Sequence, residues 1–233
     1  MNLLDFIWPR ACEICMRPVD RPGRYLCSDC LNRLSLTPTR GLCQKCGRDA
    51  ALFEDEYLCQ ECRERRPAFD RTGSALFFEG EARSLVNHFK FREALHLKTD
   101  FVDLLEAMAM VRFNLKEIDV VSSVPLALTR RIVRGYDQCE MLGVALAKRL
   151  KKTYRKLLKR VGSPVRQSSL SEEDRRKNVI GTFALRGPFS ARTVLLVDDI
   201  MTTGSTLSEC AKVLKSAGAK TVYCLTLARS VRK

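Results

Sequence analysis

No stretch of the 233-residue chain approaches the roughly 18 consecutive apolar residues that cross a bilayer; runs such as Ala75 to Phe78 and Val194 to Val197 are far shorter. The first residues, Met1 to Trp8, are apolar but hold Asp5, lack a basic start and run into Pro9, which suits neither a secretion signal nor an anchor. A cytoplasmic protein is expected. Histidine is scarce: His88 and His96 are the only two, and neither belongs to a catalytic spacing. No Ser/His/Asp or Cys/His nucleophile set is visible. Acidic residues are in deficit, 27 against 41 Lys and Arg, for a net charge of +14, while 45% of residues are hydrophobic. That apolar share excludes a disordered basic tail and leaves a globular protein with a preference for anionic partners.

Cysteine, by contrast, is abundant and ordered. Eight of the 11 form four C-x2-C pairs, Cys12/Cys15, Cys27/Cys30, Cys43/Cys46 and Cys59/Cys62. Two such pairs complete the four-sulfur tetrahedral shell that zinc prefers, so four pairs imply two zinc ions. Disulfides do not persist in a reducing compartment, and one redox motif does not come as four regular pairs. The segment also repeats, with Tyr25-Leu26-Cys27 echoed by Tyr57-Leu58-Cys59. A duplicated unit most simply closes its own site, giving Cys12, Cys15, Cys27 and Cys30 to one ion and Cys43, Cys46, Cys59 and Cys62 to the other; interleaving is the alternative. With every position filled by sulfur, such zinc is structural, and it replaces the core that so short a segment cannot bury. Cys139, Cys210 and Cys224 lie apart and read as small buried hydrophobes.

The cysteine pairs end before Pro67, so residues 1–67 read as a zinc module and 68–233 as the main domain. Beyond Pro67 the texture alternates between helix-like and strand-like stretches, the signal of an α/β fold with a parallel sheet flanked by helices. Glu81 to Phe113 reads as helix with an interrupting turn, Asp119 to Val124 as strand, Tyr136 to Lys151 as helix and Leu157 to Val161 as strand. A polar loop from Gly162 to Gly181 is too long for a mere connector. Val194 to Val197 reads as a buried strand, Leu207 to Ala217 as helix and Thr221 to Leu227 as the last strand, an order of β-α-β-loop-β-α-β.

The chemistry concentrates where the Val194 strand meets the next helix, in Val194-Leu195-Leu196-Val197-Asp198-Asp199-Ile200-Met201-Thr202-Thr203-Gly204-Ser205-Thr206. Ligands of open α/β sheets bind at such carboxyl ends. Gly204 permits a tight turn, and hydroxyls, successive N–H groups and the helix N-terminus suit a phosphate. Thr206-x-x-Glu209 reads as a capping box. The adjacent carboxylates would repel a phosphate, so Asp198 and Asp199 suit sugar hydroxyls near a hydrated Mg²⁺ carried by the ligand. An ordinary Asp-rich turn and helix cap is the bland alternative; the complete string, in this order, favours phosphosugar binding.

This string resembles the phosphoribosyl diphosphate (PRPP) motif of type I phosphoribosyltransferases. The resemblance implies that Thr202, Thr203, Gly204, Ser205 and Thr206 hold the 5-phosphate and that Asp198 and Asp199 contact the ribose hydroxyls. The whole chain resembles the ComF family, which joins an N-terminal cysteine-rich zinc module to a phosphoribosyltransferase domain. Further family-like stretches are Phe78-Glu79-Gly80 leading to Lys90-Phe91, Val124-Pro125-Leu126, Arg134-Gly135-Tyr136-Asp137-Gln138 and Gln167-x-x-Leu170-x4-Arg175-x2-Asn178-Val179, ending at Phe183. Two departures are Asp137, where the family often has Asn, and the lack of a second proline near Ser123.

The resemblance implies a role in DNA uptake and a Mg²⁺-dependent displacement of pyrophosphate from C1 of the ribose. Arg130, Arg131, Arg134 and Arg175 are candidate cations for the leaving group, with Arg134 and Arg175 favoured as catalytic residues because they lie in family-like strings. A second reading is nucleic-acid handling. Twelve basic residues lie between Lys148 and Lys177, including Lys151, Lys152, Arg155 and Lys156, against three acidic ones. Such a patch attracts phosphate backbones, single-stranded DNA among them, although Tyr154 is its only aromatic. A PRPP sensor without catalysis is the third reading, and the zinc module's partner is open between DNA, a DNA-uptake helicase-like protein and its own second domain.

Overall fold

The computed structural model describes residues 10–48, 57–91, 94–127, 132–162 and 179–230. Met1 to Trp8, Arg130, Arg131, Arg166, Arg175, Arg176 and Lys177 lie outside the described residues. Among those described, no helix is long and apolar enough to cross a membrane.

The chain enters through two short helices, α1 (Ser28–Arg33) and α2 (Gln60–Arg65), one in each cysteine-rich repeat. Then come β1 (Arg71–Phe77), α3 (Gly80–Phe91), a 3-10 turn (Leu95–Leu97), α4 (Lys98–Arg112) and β2 (Val120–Ser123). The remainder is α5 (Gln138–Arg149), β3 (Thr153–Tyr154), β4 (Leu158–Arg160), β5 (Phe183–Leu185), β6 (Thr193–Met201), α6 (Ser205–Ser216) and β7 (Thr221–Arg229).

Five strands form a parallel sheet in the order β1-β7-β6-β2-β3, and β4 pairs antiparallel with β5 as a separate ribbon. From β2 the chain winds outward through α5 to β3; from β6 it winds the other way through α6 to β7. The direction of winding therefore reverses between β2 and β6, and that reversal opens a crevice at their carboxyl ends. Side-chain alternation along β6 divides the core. Leu195 and Val197 join the cluster under α3, α4 and α5, and Val194 and Leu196 join the one under α6. A buried central strand needs apolar residues on both faces, which explains the unbroken Val194 to Val197 run.

The strands differ from the sequence reading in several places. The first strand, β1, is absent from it, because the inward positions of Arg71–Phe77 include Thr72 and Ser74. Both are buried, and the Ser74 hydroxyl pairs with that of Thr226 across the sheet at 2.7 Å, so burial here leaves no hydrophobic run. Two short strands, β3 and β5, are absent from it too, and β5 pairs antiparallel with β4 across the long loop. Finally, the buried strand runs four residues further, to Met201, carrying the acidic pair inside the ladder.

The duplication in the zinc module is reproduced bond for bond. Cys12 N–H donates to Arg17 O and Cys43 N–H to Arg48 O, both at 2.8 Å; Glu13 N–H to Tyr25 O and Gln44 N–H to Tyr57 O, both at 2.9 Å. The module covers the open edge of β1. Thr37 N–H donates to Ala75 O at 3.1 Å, Phe77 N–H to Ser35 O at 2.7 Å and Thr72 N–H to Lys45 O at 2.8 Å. An uncovered edge strand invites pairing with other chains, so the zinc module also protects the sheet. Its apolar residues Leu26 and Leu34 complete the cluster under α3 and α4, supplying the core that the segment alone lacks.

Candidate active site and zinc centres

The two sulfur clusters come together in the sequential arrangement. Cys12, Cys15, Cys27 and Cys30 place their sulfurs within 4.8 Å of one another, and so do Cys43, Cys46, Cys59 and Cys62. In each, a backbone amide donates to a sulfur, Cys27 N–H to Cys12 Sγ and Cys59 N–H to Cys43 Sγ, both at 3.4 Å. Such donors stabilise thiolate. In the second cluster, hydrogen bonds from Cys46 and Cys62 draw Cys43 far below an ordinary thiol, while those with Cys43 and Cys46 push Cys62 far above one. Four crowded sulfurs do not all ionise without a cation among them, and the donor set fits zinc.

The acidic pair sits at the carboxyl end of β6, beside the crevice. The N-terminus of α5 reaches it from β2's side. Gln138 Nε2 donates to Asp199 Oδ2 at 2.8 Å, the Cys139 thiol to Asp198 Oδ1 at 3.3 Å, and Asp199 N–H to Asp198 Oδ1 at 2.9 Å. From α3, Lys90 Nζ lies 2.9 Å from Asp199 Oδ2. These bonds engage one oxygen of each carboxylate. Gln138, 1% exposed, also keeps Oε1 without a hydrogen-bond partner. The pair is suited to accepting bonds from adjacent hydroxyls.

Its electrostatics are uneven. Burial, and then the charge of Asp199, push the Asp198 carboxyl up to about 7. Burial likewise raises Cys139 well above an ordinary thiol, with Asp199 and Asp198 adding to it, so Cys139 acts as a neutral donor. Lys90, Gln138 and Cys139 are the residues at the acidic pair that sequence reasoning did not assign. Lys90 and Gln138 stood in family-like strings, but only the fold brings them to the acids; Cys139 carried no signal.

Thr202 to Thr206 form the turn from β6 into α6. Gly204 is the N-cap, with φ of 75°, a left-handed conformation that glycine adopts without strain. A Cβ there would approach Met201 Cε to 2.8 Å. The Thr203 and Ser205 hydroxyls lie 2.7 Å apart, and Ser205 N–H donates to Thr203 Oγ1 at 3.3 Å. The helical ladder begins only at Ser208 N–H to Gly204 O, and a glycine N-cap offers no side chain to the turn before it. A helix N-terminus whose first N–H groups have no intrahelical acceptor favours an anion. The expected capping box does not form: the helix starts at Ser205, and Glu209 Oε1 instead accepts from Gly181 N–H at 3.1 Å.

Beside β2's carboxyl end lies a cavity of about 230 Å³, bounded by Ser123, Pro125 and Asp137, by Lys159 and Arg160 of β4 and by Arg186 just after β5. Asp137 caps α5, its Oδ1 accepting from Glu140 N–H at 3.0 Å; Asn serves equally at an N-cap, so this departure from the family pattern is conservative. Arg134 stacks on Phe91 at 4.6 Å, at the end of α3, and Tyr136 donates to Phe89 O at 2.6 Å. Arg175 lies outside the described residues. Of the candidate nucleic-acid residues, Lys151 and Arg155 are exposed, Lys152 is half-buried and Lys156 pairs with Glu140 at 2.5 Å. Tyr154 offers no stacking platform: its hydroxyl lies 2.8 Å from Ser123 Oγ and its ring would meet a Cβ at Gly143.

Two sulfur clusters ahead of a parallel sheet with this acidic turn define a double zinc ribbon joined to a phosphoribosyltransferase-type domain. A double zinc ribbon family matches residues 3–65 and a phosphoribosyl transferase domain family matches residues 138–233. The chain is 34% identical over 153 residues to competence protein F of Haemophilus influenzae, covering 63% of this chain and 67% of that protein. It is 30% identical over 172 residues to DNA utilization protein YhgH of Salmonella typhimurium, covering 72% and 76%. The chain belongs to the ComF family. Among solved structures, the glutamine phosphoribosylpyrophosphate amidotransferase from B. subtilis is 19% identical, with a TM-score of 0.37, over 55% of this chain and 25% of that one.

Proposed function

We propose that the protein binds PRPP with Mg²⁺ in the crevice between β2 and β6 and transfers its phosphoribosyl group, in the cytoplasm, in the service of DNA uptake. The observation carrying this reading is the join of β6 and α6, where two half-satisfied carboxylates precede a turn of hydroxyls and amides around left-handed Gly204. Asp198 and Asp199 take the ribose hydroxyls; Thr202, Thr203, Gly204, Ser205 and Thr206 take the 5-phosphate. Lys159, Arg160 and Arg186, around the neighbouring cavity, suit a leaving pyrophosphate.

Chemically, a nucleophile displaces pyrophosphate at C1 while positive charge develops on the ring. The chain's own contribution is to hold the sugar by both ends and place negative charge near that ring. Lys90 and Gln138 fix Asp199, and Cys139 fixes Asp198. Mg²⁺, bound to the ligand's phosphates near the acidic pair, would neutralise the leaving group. Arg134 and Arg175 are proposed as further cations for the leaving pyrophosphate. The units 1–67 and 68–233 are its working domains.

The relatives' names, competence and DNA utilization, support the uptake role. The exposed cations Lys151 and Arg155, continuous in sequence with those of the β4/β5 ribbon, favour a second reading in which the same protein contacts single-stranded DNA and meets a helicase-like partner. Calorimetric titration of the zinc-loaded protein with PRPP and Mg²⁺, beside the Asp198→Asn/Asp199→Asn variant, tests the first reading. Binding abolished by the double substitution supports it; equal binding by both proteins removes the acids from the site.

A further inference from the structure

The two zinc ribbons share one internal architecture but dock by different means. The first is held mainly by side-chain pairs to α4 and the 3-10 turn before it: Arg21 to Asp100 at 2.9 Å, Arg24 to Asp103 at 2.5 Å, and His96 to Glu13 at 2.9 Å. The second is held through its metal knuckle's backbone. Arg112 Nη2 donates to Cys43 O at 3.4 Å and Gln44 O at 3.2 Å, Thr72 N–H to Lys45 O at 2.8 Å, and Arg229 Nη1 to Cys46 O at 3.0 Å. Four consecutive carbonyls of the loop that carries Cys43 and Cys46 are thus taken by the α/β domain.

Arg229 connects this knuckle to the phosphate turn. It ends β7, pairs in register with Met201 at the end of β6, and is 6% exposed. The following residue extends the tie, Ser230 N–H donating to Met201 O at 2.9 Å. A narrow cleft of about 40 Å³ separates Cys46 and Cys62 from Thr202 and Thr203. The linker leaving the second ribbon reaches the same place. Ala68 N–H donates to Ser208 Oγ at 3.0 Å in the first turn of α6, and Phe69 packs 3.5 Å from where a Gly204 Cβ would stand.

We infer that the second zinc ribbon, through Arg229, Phe69 and Ser208, is a positioning element for the phosphate turn, and that metal in the Cys43/Cys46/Cys59/Cys62 cluster holds Thr202 to Thr206 in their ligand-ready conformation. A four-sulfur knuckle has little else to hold its backbone, so the positions of those carbonyls follow the metal. Loss of that ion frees Cys46 O from Arg229 and loosens the turn at its strand end. Loss of the first ion loosens the contact with α4 and leaves the turn as it is. The ligand consequence rests on the phosphosugar reading above; the conformational one does not.

The test is hydrogen–deuterium exchange of the peptide spanning residues 201–208 in the full-length, zinc-loaded protein, with zinc content measured for each variant. Cys59→Ser/Cys62→Ser should raise exchange about tenfold or more, and Cys27→Ser/Cys30→Ser less than about twofold. Arg229→Ala keeps all eight ligands and should reproduce the rise at full zinc content, so the inference survives misfolding of a cysteine variant as a testable claim. Arg229→Lys, which keeps a donor, should recover part of the protection. PRPP affinity should fall in the same order. Equal exchange in both ribbon variants, or an unchanged turn in Arg229→Ala, overturns the inference. Loosening of the turn in a protein that never binds PRPP would overturn the ligand reading alone.

Discussion

Replacing Asp198 by Asn should stabilise the fold while removing ligand binding, and the gain should grow with pH. The carboxyl titrates at about 7 in the folded protein because burial and the Asp199 charge disfavour its ionisation, against about 4 in an unfolded chain. With the folded value above the unfolded one, the cost to stability is absent below about pH 4, rises as pH increases towards 7 and then levels off. At roughly 1.4 kcal/mol per pH unit, ionising this group costs about 2 kcal/mol at pH 5.5 and about 4 kcal/mol at pH 8.5. Asn carries no such cost, and its pH-independent effects cancel in the comparison. Urea unfolding of both zinc-loaded proteins should therefore show the stability difference moving by about 2 kcal/mol in the variant's favour between these two pH values. A difference that stays flat, or shrinks as pH rises, would refute the burial argument.

Gly204→Ala must adopt φ near 75° and bring its Cβ against Met201; a cost of about 1–2 kcal/mol in stability and a loss of PRPP affinity exceeding tenfold are expected by denaturation and calorimetry. Replacing Lys151, Lys152, Arg155 and Lys156 by Ala should flatten the salt dependence of single-stranded DNA binding by up to about four charges' worth, with Lys156 contributing least because Glu140 already neutralises it. An unchanged slope in filter or fluorescence titrations would take the patch out of DNA contact. Affinity for PRPP with Mg²⁺ should rise as pH increases through 7, as Asp198 gains the charge that favours a cation-bearing ligand; a flat profile would mean that Asp198 does not face it.

The strand, acidic pair and helix of the PRPP-type turn were legible because hydrophobic run, carboxylates and small hydroxyl residues follow one another along the chain. The zinc clusters were legible for the same reason, as C-x2-C spacing is a local property. What escaped was whatever depended on partners far away in sequence. Ser74 and Thr226 hide β1 because their hydroxyls satisfy each other across the sheet, and the buried Thr72 beside them breaks the hydrophobic run as well. Lys90 and Cys139 acquire meaning only where α3 and α5 converge on β6. Glu209, well placed for a capping box, is drawn instead to Gly181, and glycine at the N-cap leaves the helix end open to a ligand.

The central claim is that the turn after β6 is a working phosphosugar site. Hydrogen–deuterium exchange of the zinc-loaded protein, with and without PRPP and Mg²⁺, tests it most directly. The account predicts protection concentrated in residues 198–208 and in the start of α5 around Gln138 and Cys139. Protection confined to the basic stretch from Lys148 to Arg160, or none at saturating ligand, would contradict it.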